Sequence, residues 1–249
     1  MDIMSLFLSI IIPAYNEETR LPGTLEEIFS FLNSKIFTFE VLVVENGSTD
    51  KTLQIATSLV EIYPELIVLH EDVPGKGNAV RRGMLEARGK YRFLCDADLS
   101  MPISEIEKFL PDDKSIIDVA IGSREVKGAQ RYDEPWHRHL TGRIFNLFVN
   151  TITLPRIKDT QCGFKCFRGD VAEHIFKQQT LDGWAFDVEI LAIARSCGYE
   201  IKEIPISWYY ESDSKVNLWS DALKMFSNIL IIRKNLVLGF YDDTQRGAN

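Results

Sequence analysis

The stretch Tyr91–Pro102 reads YRFLCDADLSMP, and it joins a strand to a group of acids. An apolar run ends abruptly in Asp96 and Asp98, which are spaced i, i+2. Burying carboxylates beside a strand is costly unless a positive partner compensates them. The stretch therefore predicts a fold in which a buried strand ends at a polar edge, where such a partner binds.

The same arrangement, an apolar strand followed by a polar or glycine-rich loop, occurs three times before this stretch. Strands are predicted at Leu8–Ile12, Phe39–Val44 and Leu66–Leu69, because each is a short apolar run typical of a strand buried on both faces. Segments with helical spacing, such as Thr24–Leu32, lie between them. The resulting order, β-α-β-α-β-α-β, predicts an α/β fold with a largely parallel sheet flanked by helices.

The second half of the chain is less regular and is predicted to extend the same single domain. Strands are expected at 117–122, 163–167 and 201–206, helices at 136–150 and 187–197, and loops at 125–136 and 208–216. The cluster of Trp208, Tyr209, Tyr210 and Trp219 fits either a core or a membrane interface.

Composition limits the class of protein. The 249 residues are 45% hydrophobic and 26% charged, which is ordinary for one large α/β domain. A net charge of -8 argues against nucleic acid as a partner, although a protein with this net charge can still contain a local basic pocket. Four cysteines without a C-x-x-C pair predict reduced thiols rather than zinc ligands.

Two apolar segments are candidates for membrane contact. The first 13 residues lack the basic region and cleavage site of a signal peptide, and their apolar run is too short to span a bilayer. The segment Leu218–Leu238 carries four charges and is expected either to cover the core or to lie on a membrane surface. We expect a cytoplasmic protein, or one that is peripheral on the cytosolic face of a membrane.

The loops after the four strands are predicted to meet at one edge of the sheet, where ligands of parallel sheets bind. Asp96 and Asp98 can converge there on Mg²⁺ or Mn²⁺, with substrate phosphates completing the shell. The alternative is that they cap the following turn. Backbone N–H groups of ENGSTD and PGKGNA, together with Lys76, suit a diphosphate, although Lys76 fits a solvated surface lysine as well.

PAYNEE, VVENGSTD, GKGNAVRRGM, DADLS, GSR and DTQCGFK, in this order and spacing, resemble the inverting glycosyltransferases of family 2, which have the GT-A fold. Within that family the sequence is most similar to the polyprenyl-phosphate sugar synthases, which include dolichyl-phosphate glucosyltransferases and mannose synthases. The resemblance runs from about Leu8 to about Val216. It implies one GT-A domain with a nucleotide-sugar-binding half at 1–110, an acceptor-side half at 111–216 and a helical segment at 217–249.

The resemblance implies a site for a nucleotide-sugar donor. Asn46 replaces an acid that is frequent in the family, which favours UDP over GDP because an amide oxygen can still accept from uracil N3–H. Asp96 and Asp98 match the metal-binding pair, and Ser100 stands where some relatives carry a glutamine ligand. The implied donor-binding residues are Pro13, Ala14, Tyr15, Glu17, Glu45, Asn46, Gly47, Ser48, Lys76, Gly77, Arg81, Asp96 and Ala97.

The resemblance also implies an acceptor site rich in basic residues. Guanidinium groups can neutralise and orient an anionic acceptor that approaches an anionic donor, while salt bridges among surface charges are the alternative. The implied catalytic residues are Asp98, Arg124 and Asp187, and Asp187 would act as a base only on a hydroxyl acceptor. The implied acceptor-binding residues are Arg124, Arg138, Arg143, Asp159, Gln161, Asp187 and Lys215.

The expected activity is metal-dependent, inverting transfer of a hexose from a nucleotide sugar to a polyprenyl phosphate such as dolichyl or undecaprenyl phosphate. Glucose and UDP are the favoured sugar and nucleotide. Three alternatives are kept: a GDP-mannose donor, a hydroxyl acceptor on a soluble sugar or polysaccharide, and a nucleotide-sugar-binding module without turnover.

Overall fold

The computed structural model describes residues 6–111, 117–211 and 220–241. The strands are β1 (Leu8–Ala14), β2 (Phe39–Glu45), β3 (Leu66–His70), β4 (Tyr91–Leu94), β5 (Val119–Ser123), β6 (Gln130–Tyr132), β7 (Lys165–Arg168), β8 (Ile201–Pro205) and β9 (Ser207–Tyr209). The helices are α1 (Leu21–Asn33), α2 (Thr52–Leu59), α3 (Lys76–Glu86), α4 (Trp136–Ile152), α5 (Gly169–Gln178), α6 (Phe186–Ser196) and α7 (Ser220–Val237), with a 3₁₀ helix at Ile103–Lys108.

Seven strands form one sheet in the order β3-β2-β1-β4-β7-β5-β8. The first four strands pair in parallel, β7 is antiparallel to both β4 and β5, and β8 pairs in parallel with β5. The predicted largely parallel sheet is therefore confirmed, and the second half of the chain extends it as a mixed sheet. Chain order reverses between β1 and β4, and such a switch point opens a crevice outside the carboxyl ends of the strands.

Both faces of the sheet are covered, which explains the continuous apolar runs. Side chains alternate along a strand, so that Ile10 of β1 joins one buried cluster and Ile11 joins the other. Helix α1 packs its buried residues, such as Leu25 and Phe29, into the first cluster. Helices α3, α5 and α6 pack into the second cluster. The sheet is thus fixed on both sides, and its polar strand ends are held at one edge.

The prediction of plain loops at 125–136 and 208–216 is wrong where the structure describes them. Strands β6 and β9 pair in parallel there, from Gln130 opposite Ser207 to Tyr132 opposite Tyr209. The rings of Tyr132 and Tyr209 stack at 4.6 Å. Strands of three residues are too short to show a periodic pattern. Their pairing also depends on a partner 77 residues away, in the register Gln130–Ser207. The prediction also omits α5.

Helix α7 covers the core with one face, as one of the two expectations for this segment had it. Ile229 and Ile232 are buried, and Phe226 packs on Phe148 of α4 with ring centroids 4.6 Å apart. The opposite face leaves Leu230 57% exposed. In the part of the chain that the structure describes, no helix is both long and apolar enough to cross a membrane.

Candidate active site

A cleft of about 620 Å³ opens at the carboxyl ends of β1, β2 and β4 and continues toward α6 and β9. It brings together most of the residues that the sequence singled out, from both halves of the chain. The predicted site residues that line it are Pro13, Ala14, Tyr15, Glu17, Asn46, Gly47, Lys76, Asp96, Ala97, Asp98, Arg124, Arg138, Gln161 and Asp187.

The two acids after β4 have a positive partner within the chain. Lys76 Nζ lies 2.7 Å from Asp96 Oδ1. Burial would lower the pKa of Lys76, but Asp96, Asp187 and Asp98 raise it overall, so the ammonium group stays charged. Burial and the neighbouring Asp96 raise the pKa of Asp98. Asp98 also accepts from the Ser100 N–H at 3.0 Å, so the turn-capping interpretation holds for one of its oxygens.

At Gly163, the backbone lies so close to Asp96 that there is no room for a side chain. A Cβ at Gly163 would lie 2.0 Å from Asp96 Oδ2. Gly163 follows Gln161 in the DTQCGFK motif and lines the cleft. Gly163 therefore allows the segment that leads into β7 to pack closely against Asp96. A glycine in this motif was the available signal for such a close approach.

Asn46 fixes the loop that leads into α3. Its Nδ2 donates to the carbonyl oxygens of Val73 at 2.7 Å and Glu71 at 3.1 Å, and its Oδ1 accepts from the Gly75 N–H at 2.6 Å. An aspartate could accept from Gly75 but could not donate to the two carbonyls. This gives a local reason for an amide at a position where the family often has an acid. The predicted contact of Asn46 with uracil stays a prediction.

Glu45 and Ser48 lie behind the cleft and shape its wall. Glu45 is buried and accepts from the Ser48 N–H, and its Oε2 lies 2.5 Å from His70 Nδ1. Burial would raise the pKa of Glu45, but Ser48 and His70 lower it overall. The hydrogen bond to Glu45 raises the pKa of His70. Ser48 Oγ accepts from the Asn16 N–H at 3.0 Å, which ties the loop after β2 to the loop after β1.

Two further predicted donor residues also lie behind the cleft wall. The Gly77 N–H donates to the Asp182 carbonyl at 2.7 Å. Arg81 Nε donates to the Phe176 carbonyl of α5 at 3.0 Å. In this structure Arg81 therefore supports α3 and does not face the cleft.

The basic residues of the acceptor side have different environments. Arg124 holds Asp159 with two side-chain hydrogen bonds, Nε to Oδ2 at 2.7 Å and Nη2 to Oδ1 at 2.9 Å, and its backbone N–H donates to Oδ2 at 3.0 Å. Asp159 is fully buried; burial would raise its pKa, but Arg124 lowers it overall. Arg138 lines the cleft with its Cζ 4.9 Å from the Tyr210 ring. Arg143 instead pairs with Glu125 at 2.9 Å and does not line the cleft.

Asp187 has a partner that the sequence analysis did not name. Lys165 is fully buried, with its Nζ 2.5 Å from Asp187 Oδ1 and 2.5 Å from the Cys162 carbonyl oxygen. Burial raises the pKa of Asp187, and Lys165 opposes that rise. Nearby, Gln161 Nε2 is buried without a hydrogen-bond partner among the described residues. A lysine inside an apolar strand was the available signal, because such a charge requires a partner.

The cleft also contains residues that the sequence analysis did not assign to it. Trp208 is 7% exposed and lies between Arg124 and Arg131, whose Cζ atoms are 5.3 and 5.8 Å from its ring. It therefore belongs to the core and the cleft wall together. Lys215 and Trp219 lie outside the described residues. The other additional lining residues are Arg20, Pro74, Gly75, Ala79, Ser100, Met101, Cys162, Gly163, Gly183, Trp184 and Glu211.

The fit of a divalent cation rests on two carboxylates. Across the described residues, no group of three or more His, Cys, Asp or Glu side chains could hold a metal ion. Mg²⁺ characteristically takes one or two carboxylates and completes its shell with substrate phosphates and water. Asp96 and Asp98 fit that pattern, because they form an oxygen-only pair of like charges at the edge of a cleft.

The comparisons agree with this architecture. The family model described as glycosyl transferase family 2 matches residues 9–176. The chain belongs to glycosyl transferase family 2.

Its curated relatives include dolichyl-phosphate beta-glucosyltransferases. The one from Dictyostelium discoideum is 35% identical and aligns over 96% of this chain and 77% of its own length. The one from Saccharomyces cerevisiae is 36% identical over 98% of this chain and 79% of its own, and the one from Homo sapiens is 34% identical over 93% and 76%.

Solved structures share the fold at low sequence identity. Glucosyl-3-phosphoglycerate synthase from Mycobacterium tuberculosis, in complex with Mn²⁺, UDP-glucose and phosphoglyceric acid, has a TM-score of 0.67 at 14% identity. That match covers 92% of this chain and 80% of the neighbour. The same enzyme in complex with UDP has a TM-score of 0.66 at 16% identity, again over 92% and 80%. The predicted fold class and family are confirmed.

Proposed function

We propose that this chain is an inverting glucosyltransferase that moves glucose from UDP-glucose to a polyprenyl phosphate such as dolichyl or undecaprenyl phosphate. The observation that carries the proposal is that a single cleft joins Lys76, Asp96 and Asp98 to Arg138 and Asp187. Such a cleft can hold an anionic donor and an anionic acceptor together. The names of the relatives support glucose as the sugar and a lipid phosphate as the acceptor.

At the donor end, the loops after β1 and β2 would bind the nucleoside, and Lys76 would bind the diphosphate. Tyr15 is 47% exposed in the cleft and offers a face for the base. Asp96 and Asp98 would hold a divalent cation, which stabilises the diphosphate leaving group when bound. Lys76 would then exchange its contact with Asp96 for a phosphate oxygen, because both ligands carry the same charge.

At the acceptor end, Arg138 would bind the lipid phosphate. A phosphate oxygen attacks C1 of glucose, the bond from C1 to the donor diphosphate breaks, and the electron pair leaves with UDP. The configuration at C1 inverts. An ionised phosphate needs no base, so Asp187, held by Lys165, would orient the reacting groups instead of removing a proton.

The acceptor's tail would need an apolar surface next to this phosphate site. Helix α4, which carries Arg138, exposes Trp136, Leu140, Ile144 and Leu147 to extents of 53 to 77%, and their spacing puts them on one face. Helix α7 adds Leu230 and further exposed apolar residues toward its end. We propose that these exposed apolar residues of α4 and α7 contact the membrane surface from which the acceptor is drawn.

The function is tested by incubating the purified protein with radiolabelled UDP-glucose, Mg²⁺ or Mn²⁺ and a short-chain polyprenyl phosphate. Lipid-soluble label that depends on metal is the expected result. Asp98→Ala should abolish it, while Glu61→Ala, at an exposed carboxylate just after α2 and outside the cleft lining, should not. Parallel incubations offer a soluble sugar as acceptor or labelled GDP-mannose as donor. Transfer only to the sugar hydroxyl would refute the proposed acceptor, and transfer only from GDP-mannose would refute the proposed donor.

A hydroxyl acceptor is the second candidate, and the raised pKa of the buried Asp187 favours it. A carboxylate with a raised pKa is a better base for a hydroxyl proton. Asp187→Asn separates the two functions. Loss of turnover by about 100-fold with unchanged donor binding indicates base catalysis, whereas retained transfer to the lipid phosphate indicates positioning.

A further inference from the structure

Trp184 stands at the point of the cleft where the donor diphosphate and the acceptor would meet. It is half-buried and lines the cleft, with its ring centroid 5.2 Å from Lys76 Nζ. It precedes α6 and lies three residues before Asp187. C1 of the sugar is bonded to the diphosphate and attacked by the acceptor, so the sugar must lie between the two. The structure puts an indole ring beside that position.

The segment 179–184, which we call the clasp loop, is packed tightly against the loop that opens α3. Gly77 N–H donates to the Asp182 carbonyl at 2.7 Å, and Gln179 Nε2 donates to the Gly77 carbonyl at 2.9 Å. A Cβ at Gly75 would lie 2.4 Å from the Asp182 oxygen, and a Cβ at Gly77 would lie 2.6 Å from the Leu181 oxygen. The clasp loop therefore cannot shift unless the loop that carries Lys76 shifts as well.

A buried carboxylate fixes the other side of the clasp loop. Glu189 of α6 is fully buried and accepts from the N–H groups of Thr180 at 3.0 Å and Leu181 at 2.8 Å. It also accepts from the Thr180 hydroxyl and from the Tyr241 hydroxyl, the latter at 2.9 Å. A carboxylate is costly to bury and persists here because its oxygens have four donors. The clasp loop is thus held more rigidly than a connecting loop requires, as the wall of a binding site needs to be.

We propose that the Trp184 indole is the platform on which the hexose of the donor packs, which makes Trp184 a specificity-determining residue for the sugar. The proposal rests on the proposed nucleotide-sugar donor and deepens it. A hexose presents C–H groups on its ring faces and hydroxyls at its rim, and an aromatic face suits the former. Glu189 acts on the sugar only through the clasp loop and is a positioning residue.

The test compares UDP with UDP-glucose, because the two ligands differ only in the sugar. Calorimetric titration of the full chain in Mn²⁺ gives the Kd of each for wild type, Trp184→Leu and Trp184→Phe. For Trp184→Leu we expect the UDP-glucose Kd to rise about tenfold and the UDP Kd to change less than about twofold. Trp184→Phe should retain most of the affinity. Ile62→Ala, at an apolar side chain that is 64% exposed after α2 and outside the cleft lining, is the control and should change neither Kd.

The possible outcomes distinguish failure of the Trp184 proposal from failure of the proposed function. Equal weakening of UDP and UDP-glucose in Trp184→Leu would show that Trp184 only positions Lys76, and unchanged Kd values would show that it has no role. Either result overturns the platform and leaves the donor intact. A wild-type protein that binds GDP-sugars and no UDP-sugar would overturn the proposed donor instead. The thermal unfolding midpoint of each variant without ligand serves as the folding control.

Discussion

The donor side and the acceptor side of the cleft each pair a basic side chain with an aspartate, but the two pairs differ in burial. Lys76 and Asp96 share one contact of 2.7 Å, and their side chains are 20% and 25% exposed. Arg124 and Asp159 share three hydrogen bonds, two from the guanidinium and one from the backbone N–H, and the Asp159 side chain is fully buried. A single contact within reach of solvent can exchange for a ligand, whereas a bidentate pair on a buried carboxylate is expensive to open.

This difference indicates different roles for the charged residues of the proposed donor and acceptor sides. On the proposed donor side, Lys76, Asp96 and Asp98 would be available for a diphosphate and a cation. On the acceptor side, two guanidinium nitrogens of Arg124 are occupied by structure. Arg138 lines the cleft and contacts the ring of Tyr210, so it is the better candidate for the acceptor phosphate. A basic residue in a motif can therefore serve the fold or the ligand, and the burial of its partner distinguishes the two roles.

The largest expected effect comes from breaking the buried pair. Asp159→Asn should lower the free energy of unfolding by about 3 kcal/mol, because it leaves the Arg124 guanidinium without its charged partner. Asp96→Asn, the matched change at the open pair, should alter that free energy by less than about 0.5 kcal/mol. Urea denaturation of both variants measures the contrast. Similar losses in the two variants would contradict the distinction between a structural and an exchangeable pair.

The second effect tests what holds the donor side in shape. Asn46→Asp should destabilise the protein by about 2 kcal/mol, because a carboxylate would face the carbonyl oxygens of Glu71 and Val73 that the amide now satisfies. Asn78→Asp is a control in the same region, since its amide contacts are exposed and long, at 3.4 and 3.5 Å. A fully stable Asn46→Asp variant with altered nucleotide preference would instead show that this side chain selects the base.

The third effect concerns the arginine that we assign to the ligand. Arg138→Gln should raise the KM for polyprenyl phosphate about tenfold, because a charge-assisted contact is lost. Arg143→Gln, on the same helix but 62% exposed and paired with Glu125, should change it less than about twofold. Steady-state kinetics with varied acceptor at saturating donor gives both values. An equal effect of the two substitutions would indicate general attraction of an anion by α4.

Local patterns were enough to predict the donor side. Each of β1 to β4 is an apolar run that needs no distant partner to be seen, and parallel pairing then brings the following loops to one edge. The cleft lining by Asn46, Lys76 and Asp96 follows from that register. The uses of Asn46, whose amide fixes a loop 25 to 29 residues further on, and of Arg81, which donates to a carbonyl 95 residues away, lay beyond a local pattern.

The acceptor side depends on contacts that a sequence does not display. Arg124 meets Asp159 across 35 residues, and Lys165 meets Asp187 across 22. The sequence contains these charged residues but does not show which of them form ion pairs with one another. Trp184 reaches Lys76 only because the clasp loop packs on two glycines with no space for a Cβ. Long-range pairing, rather than composition, decides which of these side chains remain available to a ligand.

The smallest expected effect is a pH dependence at the donor side. His70 has a raised pKa because of its hydrogen bond to Glu45, so the pair contributes stability that is fully present below the ordinary histidine value of 6.5. That contribution is lost as the pH rises through the raised pKa of the folded state. The effect is small because the His70 side chain is 46% exposed.

His70→Gln should therefore flatten the decline in urea midpoint as the pH rises above 6.5. His137→Gln is the control, because this histidine is exposed at the start of α4 and far from Glu45 in the chain. A wild-type midpoint that rises over this range, or a variant with an unchanged decline, would mean that the Glu45–His70 contact does not stabilise the folded donor side. Glu45 would then hold the Ser48 N–H without help from the histidine, and the wall behind the nucleoside site would be independent of pH.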